Sequence, residues 1–122
     1  MYSAEVLDHF QNPRNTGEVP NPSASAELEN PACGDVLRLS LRVENRKVAE
    51  IRFLAQGCVA AMACASALTV AVTGMGVDEA QRLRREDLLR MVGGLPAEST
   101  HASYLAMETL QAVLQQLPVP GD

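Results

Sequence analysis

Over residues 36–43 the chain alternates strictly: Leu37, Leu39, Leu41 and Val43 are apolar, and Arg38, Ser40 and Arg42 are polar. Residues 49–55 repeat the pattern, with Ala49, Ile51, Phe53 and Ala55 on one face and Glu50 and Arg52 on the other. Period two in two neighbouring segments predicts a half-buried antiparallel hairpin turning near Glu44-Asn45-Arg46-Lys47. Directly opposed residues share a face, so odd positions must pair with odd positions. Paired numbers must then sum to 90 or 92, which excludes a plain two-residue turn. Residues 24–30 are short, mixed and suited to a third strand.

The period changes outside this region. Tyr2, Val6 and Phe10 recur at helical spacing over residues 2–10, with Ser3 placed to cap the helix and Asn12-Pro13 to stop it. Residues 12–26 hold Pro13, Pro20, Pro22 and Gly17, and read as an ordered or semi-ordered loop. Residues 60–73 form an Ala- and Met-rich helix ending at Gly74 and Gly76. Residues 78–83 and 85–92 read as short helices, broken by Gly93-Gly94 and Pro96. Leu110, Val113, Leu114 and Leu117 mark a last helix over residues 99–116. Strands first and helices after predict an α+β fold, with helices packed on one face of a small three-stranded antiparallel sheet.

Composition narrows the class. The 122 residues suit one domain, 1–122. Ten basic against 15 acidic groups, net −5, leave no basic stripe for a nucleic-acid backbone. Aromatics at 3% leave no base-stacking platform. No run of 18 apolar residues predicts a membrane span. The first residues lack a charged segment followed by an apolar block, so a cytoplasmic protein is expected. Three Cys, none in a C-x-x-C pair, point in such a chain to metal or thiol chemistry rather than disulfides.

The chemistry-bearing residues gather where the hairpin opens. Extending its register places Cys33 opposite residue 57 or 59, within one position of facing Cys58. Asp35 follows Cys33 by two residues, and Gly34 and Gly57 remove side-chain bulk on each side. Cys58 also opens a helix, whose dipole favours a thiolate. His101 completes the set at the start of the last helix, although no periodicity brings it to Cys33. Two sulfur, one nitrogen and one oxygen ligand suit tetrahedral zinc, or iron. Cys64 lies about 240° around the helix from Cys58 and reads as core packing. His9 reads as a solvent-facing helix residue, and Arg14 as a solvated turn residue.

These residues resemble the iron–sulfur cluster assembly scaffold family, the IscU proteins and the N-terminal domain of NifU. The likeness runs through Tyr2-Ser3, Val6-Leu7-Asp8-His9-Phe10, Asn12-Pro13-Arg14-Asn15 and Gly17. It continues through Pro31-Ala32-Cys33-Gly34-Asp35-Val36, Gly57-Cys58, Gly74, Asp78-Glu79-Ala80, and His101 with Ser103, Leu105 and Ala106. It implies a non-catalytic scaffold. A cysteine desulfurase delivers sulfur, iron arrives, and a [2Fe–2S] cluster is built and passed to an apo recipient protein. Cys33, Asp35, Cys58 and His101 match the family's ligand positions, and zinc is the expected occupant of the cluster-free site.

Two departures stand out. The family places a third ligand Cys directly after the His, where this chain has Ala102. Its Leu-Pro-Pro-Val-Lys chaperone-recognition stretch is replaced by Leu95-Pro96-Ala97-Glu98-Ser99, an acid replacing the basic end, which argues against release by a dedicated chaperone. The insertion that marks the zinc-dependent SufU branch is also missing. The alternative is a zinc-binding paralogue that docks on a desulfurase and modulates it without building clusters. A Cys58–His101–Asp35 hydrolase fits less well, because Asp35 is placed to share a ligand sphere rather than to orient a base.

Overall fold

The computed structural model describes residues 1–118. Three antiparallel strands, β1 (Ala24–Glu29), β2 (Val36–Glu44) and β3 (Lys47–Gln56), form one sheet in the order β1-β2-β3. Five helices surround it: α1 (Ala4–Gln11), α2 (Val59–Val72), α3 (Val77–Gln81), α4 (Arg85–Met91) and α5 (His101–Gln115), the last preceded by a 3₁₀ turn at Ala97–Ser99. The short helices thus begin and end within one or two residues of their expected limits. The last helix starts at His101 because the residues before it wind into the 3₁₀ turn.

The β2–β3 register sums to 92 from Val36↔Gln56 to Arg42↔Glu50, one of the two values parity allows. The connecting turn is nevertheless a two-residue one, Asn45-Arg46, both at positive φ (52° and 61°) as the right-handed strand twist favours. The register shifts beyond Arg42, so that Val43 pairs with Val48 and Ala49 is the extra residue of a bulge. A tight turn and the required parity therefore coexist, the odd residue being absorbed in β3 rather than in the loop.

Leu37, Leu39, Leu41, Ile51 and Phe53 point to the helical side and are almost fully buried. Against them α2 lies over β3, and α5 over β1 and β2. Ten of the 14 residues of α2 are buried, as befits a helix apolar all round and enclosed by the sheet, α1 and α5. Its small side chains let these neighbours approach closely. Cys64 is 0% exposed in this packing, the structural role its helical phase predicts.

Both sheet edges are met in part by other segments. Along β3, the Phe53 N–H donates to the Asn15 carbonyl (2.9 Å) and the Gly17 N–H to the Phe53 carbonyl (2.9 Å), a short parallel addition by the Pro-rich loop. At β1, Gln116 accepts from the Ser25 N–H (3.3 Å) and donates to its carbonyl (2.6 Å). The loop then crosses the outer face, where buried Val19 donates its N–H to Ser40 Oγ (2.9 Å).

α1 is capped by Ser3, whose Oγ accepts from the Val6 N–H (3.0 Å) and donates to the Val92 carbonyl. Its far end corrects the expectation for His9. His9 Nδ1 lies 2.8 Å from Ser66 Oγ and 3.2 Å from Arg14 Nη1, while the Arg14 side chain, 41% exposed in its turn as expected, pairs with Asp8 (2.7 Å). Ser66, fully buried in α2, also accepts from the Arg14 N–H (2.9 Å). Helical spacing found the buried Val6, but Phe10 on the same expected face is 37% exposed, and spacing gave no sign that a buried serine on another helix would recruit His9.

Candidate metal centre

The turn between β1 and β2 presents Cys33. Asn30 organises it: its side-chain oxygen accepts from the Ala32 N–H (3.0 Å) and its carbonyl from the Gly34 N–H (2.7 Å). Its own N–H closes the turn on the Asp35 carbonyl (2.8 Å). Gly34 sits at φ +76°, where a side chain would be strained although space surrounds it. The segment is a turn, so the strand register does not run on to Cys33 as expected. The register begins at Val36↔Gln56, and one step beyond it the main chain of Gly57 lies close against the Asp35 side chain.

Asp35 shares the parity of Leu37 and Leu39, so its carboxylate enters the helical side of the sheet and is only 5% exposed. There it meets the first residues of two helices. Cys58 is the N-cap of α2, its Sγ accepting from the Ala61 N–H (3.4 Å). His101 is the first residue of α5. Cys58 Sγ donates to Asp35 Oδ2 (3.5 Å), His101 Nε2 lies 3.3 Å from the same oxygen, and Cys58 Sγ and His101 Nε2 are 4.0 Å apart. Ligand atoms of Cys33, Asp35 and His101 all lie within 4.8 Å of one another. Four residues spread over 69 positions thus gather at the open end of the hairpin, with Cys33 exposed at the rim and Asp35 at the floor.

The helix start does not make Cys58 a ready thiolate. Burial pushes its thiol above the ordinary value of 9.0. The Ala61 N–H works against that, and the Asp35 charge adds to it. A metal must therefore displace its proton. Cys64, deep in the core, is pushed up to about 12 by burial and takes no part. Ala102 is 1% exposed and packed among core residues. Beside His101, an open groove is lined by Glu29, Pro31, Tyr104 and Glu108, and the Arg85 guanidinium lies 4.5 Å over the Tyr104 ring. Neither the role of Asn30 nor this groove was anticipated; Asn30-Pro31 before Cys33 was the available signal for the turn.

Two thiols, one imidazole and one carboxylate fit a soft or borderline cation. The 3.3–4.0 Å separations among Asp35, Cys58 and His101 are close to those of donors around an ion held at about 2.0–2.3 Å, while Cys33, at the rim, has further to come in.

The family model described as NifU-like N terminal domain matches residues 1–119. The chain is 36% identical over 114 residues to the iron–sulfur cluster assembly scaffold protein IscU 1 of Archaeoglobus fulgidus, covering 93% of this chain and 74% of that protein. It is 43% identical over 112 residues to the nitrogen fixation protein NifU of Cereibacter sphaeroides, covering 92% of this chain but 46% of that one. The crystal structure of the N-terminal part of a nitrogen-fixing NifU-like protein from Brucella abortus superposes with a TM-score of 0.76. That match covers 94% of this chain and 92% of the other at 18% identity, and so speaks for the fold. The α+β architecture expected from the strand and helix periods is the architecture of these neighbours, and the chain belongs to the NifU-like N-terminal domain family.

Proposed function

We propose that this protein is a scaffold on which an iron–sulfur cluster is assembled and from which it is handed on, with Cys33, Asp35, Cys58 and His101 holding the cargo. The observation that carries this is the gathering of two thiols and an imidazole, from one turn and two helix starts, around the buried carboxylate of Asp35. Thiolates suit iron and sulfide. The harder carboxylate and the imidazole bind an iron–sulfur core less tightly, which suits a cargo that must leave. Sulfur would come from a cysteine desulfurase, and the cluster, a [2Fe–2S] unit, would pass to apo recipient proteins in the cytoplasm. Zinc, content with the same four donors, would occupy the site when no cluster is present.

The chain acts as a carrier rather than a catalyst. A hydrolase would need Cys58 poised as a thiolate beside a base. Here its thiol is pushed up, and its nearest partner is the acceptor carboxylate of Asp35.

Ala102 favours a second reading, a zinc-holding paralogue that modulates a desulfurase, since only two thiols reach the site. Anaerobic reconstitution with iron and sulfide separates the two. Visible charge-transfer absorption that is lost in both Cys33→Ala and Cys58→Ala is the scaffold result. A colourless protein retaining one zinc is the result that selects the paralogue.

A further inference from the structure

We propose that Gly57 is a positioning residue for the Asp35 carboxylate. A β-carbon built at Gly57 would lie 2.4 Å from Asp35 Oδ1, 2.6 Å from its Cγ and 3.0 Å from its Cβ. Contacts that short do not occur, so one side must give way. The main chain of Asp35 is pinned, because its carbonyl accepts from the Asn30 N–H (2.8 Å) and the Val36↔Gln56 pair follows directly. What can move is the carboxylate. Rotating away from Gly57, it would leave Cys58 Sγ (3.5 Å) and His101 Nε2 (3.3 Å). The missing side chain at position 57 is thus the floor space into which the carboxylate folds. It is also what lets a carboxylate only 5% exposed meet both helix starts. Gly57 touches no metal itself and acts through Asp35.

The inference rests on the reading of Cys33, Asp35, Cys58 and His101 as a metal-holding set, and its test has two arms. The first needs no metal. Melting temperatures are compared for the wild type, Asp35→Ala, Gly57→Ala and the double variant. Gly57 also sits at φ +154°, a strain on any side chain that is common to both backgrounds and cancels in the comparison. Gly57→Ala is expected to lower the melting temperature more in the wild type than in Asp35→Ala, where the clashing group is gone. Should the single variant not fold, a folded double variant is the same result in stronger form. Equal losses in the two backgrounds, or two unfolded proteins, would overturn the proposal.

The second arm titrates cobalt(II), read through its thiolate charge-transfer band. Gly57→Ala should weaken binding about 10- to 100-fold, the usual cost of a lost supporting group, and Asp35→Ala, which removes a ligand outright, at least as much. Each should keep the charge-transfer intensity, since both thiols remain. The double variant should bind no more weakly than Asp35→Ala. Additive losses, or loss of the band in Gly57→Ala alone, would mean that Gly57 serves its neighbour Cys58 instead. A wild type that takes up no cobalt, or Cys33→Ala and Cys58→Ala variants that keep the band, would sink the metal-site reading and leave the first arm to decide the role of Gly57.

Discussion

The two ends of the β2–β3 hairpin are built on different principles. At the closed end the main chain supplies the ties. The Val48 N–H donates to the Met75 carbonyl (2.8 Å), the Gly74 N–H to the Val48 carbonyl (2.7 Å) and the Val77 N–H to the Arg46 carbonyl (2.9 Å). Backbone bonds like these survive a change of side chain, and the Arg46–Asp78 pair (3.1 Å) adds little beyond them because it is exposed. At the open end, side chains meet one another across α2, α5 and the β1–β2 turn. The comparison teaches where adaptation is available: a backbone-tied end keeps its shape, whereas an end joined by thiol, imidazole and carboxylate can close on a cargo and open again.

The comparison breaks most sharply on metal content. Cys33→Ala and Cys58→Ala should each abolish stoichiometric metal by elemental analysis, while Gly74→Ala at the closed end should retain it. Next in size is the gain from binding. Zinc at a hundred times its dissociation constant should stabilise the fold by about 2.7 kcal/mol, seen as a raised melting temperature with hydrogen-exchange protection confined to the open end. Because the Cys58 thiol is pushed up from 9.0, each metal bound near neutrality releases its proton. Affinity should climb with pH by about tenfold per unit for each proton displaced, and fall in acid.

Without metal the pH dependence has the opposite sense. The thiols of Cys58 and Cys64 both lie above 9.0 in the folded chain, Cys64 at about 12. The stability they contribute is full below 9 and is lost as the pH climbs toward 12, because the unfolded chain sheds those protons first. A melting series from pH 8 to 11 measures this. At the closed end, Gly74 sits at φ +87° with open space around it, so Gly74→Ala should cost about 1 kcal/mol of stability in a denaturant titration. Ala102→Cys should change least. Its position is 1% exposed within the core, so the added sulfur should lengthen cluster lifetime under chelator only modestly. Unchanged or faster decay would show that position 102 does not serve the site.

Much of the open end could be read without a structure. Alternation over residues 36–43 and 49–55 marked the hairpin and its inner face, and parity left sums of 90 or 92, of which the register takes 92. Parity counts residues, however, and is silent on where an extra one goes; the bulge at Ala49 goes with a turn in which Asn45 and Arg46 both take positive φ, as the strand twist favours. Register alone put Asp35 near Cys58, whereas Cys33 reaches them through the turn that Asn30 organises. His101 was not placed by register, because its arrival depends on α5 packing over β1 and β2, a tertiary contact without a local period. His9 failed for the same reason. The buried hydroxyl of Ser66 needed a partner, and that need arises only once α1 lies on α2.

The partly covered sheet edges have a consequence for how the molecule meets other chains. Strand-by-strand growth, the usual route from a small sheet to fibres or to a borrowed peptide strand, needs an edge with free N–H and carbonyl groups. One edge is already occupied at Asn15–Gly17, and the other is met by Gln116 beside the charges of Glu27 and Glu29. Strand addition is thereby hindered at Phe53 and at Ser25. The end of the sheet is built otherwise: there an exposed thiol stands above a buried carboxylate.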